Sequence, residues 1–369
     1  MLNGNSVGKA LVLTCFGESH GRCVGVVIDG CPAGLAISEE EIQVEMEKRR
    51  PGLTEVSTPR REKDTVEILS GVYDNFTTGA PICMLVWNRD VDSRPYELIK
   101  DKPRPGHADY PAYVRYGGFN DFRGGGRFSG RITAAYVMAG AIAKKLLGMI
   151  GVEVLAHTVQ IGRIELSGEV SYEDIRRNVY QNSVRCADPD VAEAMIVEIL
   201  KASNDGDSVG GIVEGLALNV PAGLGDPIFD SLDSDIAKMI FNIPAVKGVE
   251  FGAGFKVASM KGSENNDEYM LREGRIVTVT NNAGGVLGGI STGMPIVVRI
   301  AFKPTSSIPR KQKTVDLNLM REAEIQFRGR YDPCIVPRAV PVVEACLAFV
   351  LADHAIRAGR IPRVLKRSE

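Results

Sequence analysis

Histidine is scarce in this chain, tryptophan occurs once, and the cysteines form no paired motif. Each shortage removes a class of protein. The seven cysteines (Cys15, Cys23, Cys31, Cys83, Cys186, Cys334 and Cys346) are odd in number and include no CxxC. That argues against a disulfide frame or a zinc site and for reduced thiols in a cytoplasmic protein. No strand–GxGxxG–helix unit and no Walker lysine motif occurs, so neither a Rossmann dinucleotide domain nor a P-loop is expected. Neither sign of charge prevails. Lys and Arg number 44 against 46 Asp and Glu, a net of -2 with a pI near 6.2, which leaves no global basic field for nucleic acid. The apolar stretches 134–143 and 339–352 are short or broken by Glu344, so no membrane span is expected. The N-terminus lacks the basic and apolar regions of a signal peptide.

Glycine is plentiful, and arginine is plentiful locally. The densest stretch, residues 103–147, reads PRPGHADYPAYVRYGGFNDFRGGGRFSGRITAAYVMAGAIAKKLL. It sets His107, several arginines and Gly124-Gly125-Gly126 against the start of a helix with apolar periodicity. Free backbone N–H groups, a helix dipole and guanidinium forks all favour negative charge at such a place. A phosphorylated ligand is therefore expected there. Further basic clusters lie at Lys48-Arg49-Arg50 and Arg60-Arg61.

An internal repeat is legible. VVIDGCPAGLAISEEEIQVEM, from Val26, and LALNVPAGLGDPIFDSLDSDIAKMI, from Leu216, each read as a strand, a Pro-Ala-Gly-Leu turn and an amphipathic helix. Ser38 and Glu41 form a capping box for the first helix, which Pro51-Gly52 ends; Pro244 ends its counterpart. Downstream, Phe76-Thr77-Thr78-Gly79-Ala80-Pro81-Ile82 matches Ile290-Ser291-Thr292-Gly293-Met294-Pro295-Ile296, each leading into a strand. These matches predict one domain over residues 1–369, with a pseudo-twofold repeat of about 24–88 and 213–302. Two similar sheets would enclose helices. Other helices are expected from Ser129 or Gly130 to about Met149, after the Asp188-Pro189 cap, and from about Val340 to Arg357. Strands are expected near 9–15, 24–29, 66–69, 82–87, 152–160, 212–220, 276–281 and 295–302. Segments 89–103 and 259–274 read as mobile loops, and the tail after Arg360 as basic and loose.

Two of the four histidines sit in glycine-framed turns: His20 in Gly17-Glu18-Ser19-His20-Gly21, and His107 in Arg104-Pro105-Gly106-His107-Ala108-Asp109. Glycine lets backbone approach a ligand closely, and imidazole titrates near neutrality. A single histidine in a turn is more often structural, and His157 and His354 are read that way. Arg49, Arg104, Arg123, Arg127 and Arg131 flank the same turns. Lys303-Pro304-Thr305-Ser306-Ser307 follows a strand and offers hydroxyls and an ammonium to a phosphate. Its plainer reading is a surface turn. Asp332, before a proline and beside Arg330, is either a turn former or a proton acceptor.

Taken together, these motifs resemble the chorismate synthase family. The resemblance runs from Phe16-Gly17-Glu18-Ser19-His20-Gly21 to Val350-Leu351-Ala352-Asp353-His354. It includes Arg50-Pro51-Gly52, Gly124-Gly125-Gly126-Arg127, Ala245-Val246-Lys247-Gly248-Val249-Glu250, Lys303-Pro304-Thr305-Ser306-Ser307, Asp332-Pro333-Cys334 and Arg338-Ala339-Val340-Pro341. It implies an α+β fold of two antiparallel four-stranded sheets sandwiching a helical core, assembled as a homotetramer. The implied activity is a lyase reaction, the last step of the shikimate pathway in aromatic amino acid biosynthesis. 5-Enolpyruvylshikimate-3-phosphate loses phosphate and a ring hydrogen by 1,4-anti elimination, giving chorismate without net redox change but with reduced FMN required.

By the same resemblance, His20 is an acid near the leaving phosphate, and His107 lies near the flavin ring. Asp332 relays the substrate proton by way of flavin N5. Ser19, Arg49, Arg104, Ser129, Arg131 and Arg330 hold substrate. Arg127, Phe128, Ser129, Ala245, Gly288, Lys303, Pro304, Thr305, Ser306, Ser307 and Arg330 hold FMN. Two departures from the family pattern are visible. Phe128 and Gly130 stand where some members have serine and alanine, and Glu55 stands where some have a second arginine. An external flavin reductase is therefore the expected source of reduced FMN, with NADPH only an indirect reductant. The competing readings are an FMN-dependent oxidoreductase with net hydride transfer and a non-enzymatic polyanion-binding module.

Overall fold

The computed structural model describes residues 4–50 and 62–365. The expectations for Pro51-Gly52, Glu55 and Arg60-Arg61, and for the tail beyond 365, lie outside these residues. Two antiparallel sheets carry the architecture. The first has the spatial order Ser6–Val7, Val12–Gly17, Cys23–Asp29, Ile82–Trp87, Val66–Ser70. The second has the order Val246–Phe251, Ile296–Phe302, Gly211–Leu218, Glu153–Ile161, Ile164–Glu165. Each sheet consists of four longer strands and a two-residue edge strand. Ile296–Phe302 shows why one face is committed: alternate residues Ile296, Val298, Ile300 and Phe302 are buried.

Read from its opposite edge, the second sheet repeats the order of the first in its four longer strands, while its two-residue edge strand follows its neighbour in the chain where that of the first sheet precedes it. Cys23–Asp29 and Gly211–Leu218 are the middle strands, and each is followed by a helix, Glu39–Arg49 or Leu232–Phe241. The likeness extends to single hydrogen bonds. In the first Pro-Ala-Gly-Leu turn, Thr77 Oγ1 accepts from Leu35 N (2.9 Å) and donates to Pro32 O (2.6 Å). In the second, Ser291 Oγ accepts from Leu224 N (2.8 Å) and donates to Pro221 O (2.7 Å).

Between the sheets, the helices Thr133–Gly148 and Val336–Arg357 pack on each other. Small residues set their separation: a Cβ on Gly140 would lie 2.3 Å from Ala345 Cβ. Val336–Arg357 is long and apolar enough to cross a membrane by length and composition, yet its most apolar 18-residue window is wholly buried within the protein. It begins before the expected Val340. Pro337 sits in its first turn and marks the start, while Pro341 is carried inside it. The helix expected from Ser129 begins at Thr133. Ser129 instead caps a short 3₁₀ turn, Gly130–Ile132, by accepting from Arg131 N. The Ser38–Glu41 capping box and the Asp188 cap form as expected.

Other segments differ from expectation. Residues 89–103 hold a helical turn, Arg94–Glu97, and 259–274 hold Gly262–Asn265 and the strand Tyr269–Arg272. Residues 361–365 are anchored, not loose. Ala33 N donates to Arg363 O (3.1 Å), Leu365 N donates to Ala33 O (2.8 Å), and Leu365 is buried.

Candidate active site

The first turns of both central helices open into a cleft of about 1940 Å³, closed on other sides by segments 90–108, 124–133, 303–307 and 328–333. Every residue to which the family resemblance gives a role lines it except Gly288; Arg123, grouped with the candidate arginines, does not line it and pairs with Asp121. Gly288 lies in the turn joining Val286–Leu287 to Ile290–Ser291, outside the cleft.

The Gly124-Gly125-Gly126 run does not form the N-terminus of the long helix. All three glycines take positive φ (61, 80 and 51°) within Arg123–Phe128. Their role is to admit neighbours. A Cβ on Gly124 would come 2.5 Å from His20 Nε2 and 2.8 Å from Ser19 Oγ; on Gly125, 3.2 Å from His107 Nε2; on Gly126, 2.1 Å from Asp121 O. The run is thus a seat for both imidazoles. His20 is held from behind by Ser93 Oγ at 2.9 Å from Nδ1 and by Tyr96, edge-on at 5.2 Å.

The floor is an arginine pair sharing one carboxylate. Asp64 is fully buried; Arg49 Nη1 reaches its Oδ2 at 3.3 Å and Arg131 Nη1 bonds its Oδ1. Burial pushes the Asp64 carboxyl up, but Arg131 and Arg49 overcome this and hold it below the usual range. Arg49 also donates to Thr133 Oγ1 (2.9 Å) and Gly130 O (2.8 Å). Arg131 Nε donates to Asn88 Oδ1 at 2.9 Å, while its Nη2 is buried with no partner among the described residues. Asp64 thus serves both guanidiniums, and Arg131 Nη2 is a donor left over among the described residues.

A second group surrounds His107. Asp109 Oδ1 lies 2.6 Å from its Nδ1, and Arg104 grips both oxygens of Asp109 at 2.8 Å. Burial holds the His107 pKa below its ordinary value, with Arg104 and Lys303 pushing the same way and Asp109 opposing. Asp332 pairs with Arg338 (2.6 Å), and Arg330 pairs with Asp90 (2.6 Å). Arg127 is bound to backbone and amide oxygens, Gly17 O (3.0 Å) and Asn5 Oδ1 (2.7 Å). Lys303 is held by Gly106 O (2.9 Å) and Ser306 Oγ (2.8 Å). Thr305 Oγ1 is buried without a partner among the described residues.

Sequence reasoning missed Asp64, Asp90 and the partnership of Arg338 with Asp332. Asp64 has no motif around it. Asp109 and Arg338 stood inside quoted motifs, but their roles are visible only once their partners are.

The fold and this site define an enzyme that gathers anionic ligands beside two positioned histidines, on a scaffold of two like sheets. The sequence profile of the chorismate synthase family matches residues 11–356. A curated chorismate synthase of Dehalococcoides mccartyi is 56% identical over 98% of this chain and 100% of its own length. One of Korarchaeum cryptofilum is 54% identical over 97% of this chain and 99% of its own. A solved structure described as a crystal structure of chorismate synthase superposes with a TM-score of 0.76 at 33% identity, covering 95% of this chain and 93% of that one. The chain belongs to the chorismate synthase family. It is a lyase of the shikimate pathway, in a family that requires reduced flavin.

Proposed function

We propose that this cleft carries out the 1,4-anti elimination of phosphate from 5-enolpyruvylshikimate-3-phosphate. The observation that carries the reading is Arg131 Nη2, buried in the Arg49–Asp64–Arg131 floor without a partner among the described residues. A phosphate or carboxylate of a polyanionic substrate completes that donor set. Arg330, Ser19 and Ser129 line the same space. His20 lies beside Ser19 and gives a proton to the departing phosphate. His107 takes up and passes on a proton at its Nε2, and Asp332 accepts the proton lost from the substrate ring.

The residues assigned to FMN fit an anionic, partly apolar group. Lys303 and Arg127 face no carboxylate among the described residues, Thr305 Oγ1 awaits a partner, and Phe128 and Ala245 add apolar wall. Reduced FMN supplies electron density that assists departure of the allylic phosphate, which no side chain can do. An external reductase delivers it, NADPH serving that enzyme only.

The chain is read as one domain over 1–369 with copies at about 24–88 and 213–302; the matching strand order and matching turn hydrogen bonds support this. A cytoplasmic setting is supported by seven free cysteines. A homotetramer accords with Leu271 and Ile276, exposed on a hairpin that cannot bury them itself.

The test is an anaerobic assay with reduced FMN and the enolpyruvyl substrate. Equal release of phosphate and chorismate with no net flavin oxidation is expected. Stoichiometric flavin oxidation would instead indicate hydride transfer. Salt-sensitive binding without turnover would indicate a polyanion-binding module.

A further inference from the structure

We propose that Arg104 and Asp109 are positioning residues for His107, together fixing its Nδ1–H tautomer and presenting the Nε2 lone pair to the cleft. The proposal rests on the reading of His107 as a proton-transfer group. Its evidence is geometric. Asp109 Oδ1 and His107 Nδ1 are 2.6 Å apart, and a carboxylate only accepts, so a proton must lie between them. Arg104 Nη2 is also near Nδ1, at 3.1 Å, but it has its own acceptor in Asp109 Oδ1 at 2.8 Å. With Nδ1 protonated, Nε2 is the free lone pair. It lies over Gly125, where a Cβ would approach to 3.2 Å. Asp109 stays ionised: burial raises its pKa, but hydrogen bonds from Arg104 and His107 hold it far below the usual carboxylate range.

This reassigns Arg104. The family resemblance makes it a substrate clamp, yet its fork is spent inside the protein. Nε and Nη2 take Asp109, and Nη1 donates to Ser307 Oγ at 3.0 Å. Its guanidinium stands over the rings of Tyr96 (5.4 Å) and Phe327 (5.7 Å), and it is 5% exposed. Through Ser307, Arg104 also ties the 303–307 turn to the His107 loop, as do Lys303 and Ser306 through Gly106 O.

The experiment labels histidine nitrogens in the whole protein and assigns the His107 signals with His107→Gln. The Nδ1–H tautomer is expected; an Nε2–H tautomer in the unmutated protein would overturn the proposal, whether or not the variants fold. In steady-state assays with reduced FMN, Asp109→Asn should lower kcat roughly 10²–10⁴-fold, the span of a positioned acid–base group, with KM within about threefold. Asp109→Asn combined with His107→Ala should be no slower than His107→Ala alone. Additive losses would show that Asp109 acts elsewhere. Arg104→Lys keeps the charge and loses the fork; it should lower kcat and leave KM nearly unchanged. A raised KM at unchanged kcat would restore Arg104 as a clamp. If His107→Ala keeps full turnover, the proton-transfer reading fails, while the tautomer still decides the positioning.

Discussion

At the scale of single residues, Asp332 offers the sharpest division between binding and chemistry. Its carboxylate meets Arg338 at 2.6 Å on the wall of the cleft, while Arg330, its near neighbour in sequence, is taken by Asp90. Asp332→Asn preserves the shape of the turn before Pro333 and removes the base. Turnover should fall about 10²-fold or more, the usual contribution of one general base, with flavin and substrate still bound. Poor binding with normal turnover at saturation would make Asp332 a positioning residue for Arg338. His20→Ala should cost roughly 10–10⁴-fold in turnover and leave the fold intact, because His20 lies in a turn. Far-ultraviolet circular dichroism of the variant checks the second half. His20 and His107 could be picked out in sequence because glycines frame them. Asp64 could not, since nothing local marks a carboxylate that meets two arginines distant in the chain.

At the scale of elements, the packing of Thr133–Gly148 against Val336–Arg357 turns on one glycine. A methyl on Gly140 would fall 2.3 Å from Ala345 Cβ and 2.5 Å from its Cα, so relief requires moving helix backbone. Gly140→Ala gains about 1 kcal/mol of helix propensity, whereas overpacking a tight core costs about 1–3 kcal/mol. Net destabilisation is therefore expected, read as a lower midpoint in urea unfolding. A raised midpoint would mean the helices can separate freely. Elements with a local chemical signature were legible: the Ser38–Glu41 capping box, the Asp188 cap, and the alternating strand Ile296–Phe302. Val246–Phe251 was not. It is an edge strand whose register shifts between Val246 and Gly248, so its apolar residues keep no simple period. The last helix starts at Val336, before the expected Val340, and carries Pro341 inside it, which no local signal in the sequence announces.

At the scale of the whole molecule, charge and burial couple stability to pH. His107 and His354 are both held below the ordinary histidine value of 6.5, first by burial and then by cations: Arg104 and Lys303 for His107, Arg357 for His354. Asp109 opposes at the first site; Asp235 and Asp353 oppose at the second. A histidine with a depressed folded pKa binds fewer protons folded than unfolded. Its contribution is therefore complete above about 6.5 and is lost as pH falls from there toward the folded pKa. Asp64 and Asp109, also depressed, add a second loss below their ordinary value of 3.8. Urea midpoints should thus fall in two stages on acidification. Ligand acts on only one stage. His107 faces the cleft, whereas His354 lies about 24 Å along the last helix from Arg338, at 1.5 Å per residue. An anionic ligand beside His107 offsets Arg104 and Lys303 and raises its pKa, so binding near pH 6 should take up protons. Calorimetric titration of the enolpyruvyl substrate in buffers of different ionisation enthalpy reads that uptake directly. It should be lost in His107→Gln and kept in His354→Gln. Equal uptake in both variants would place the titrating group elsewhere and detach His107 from the bound anion.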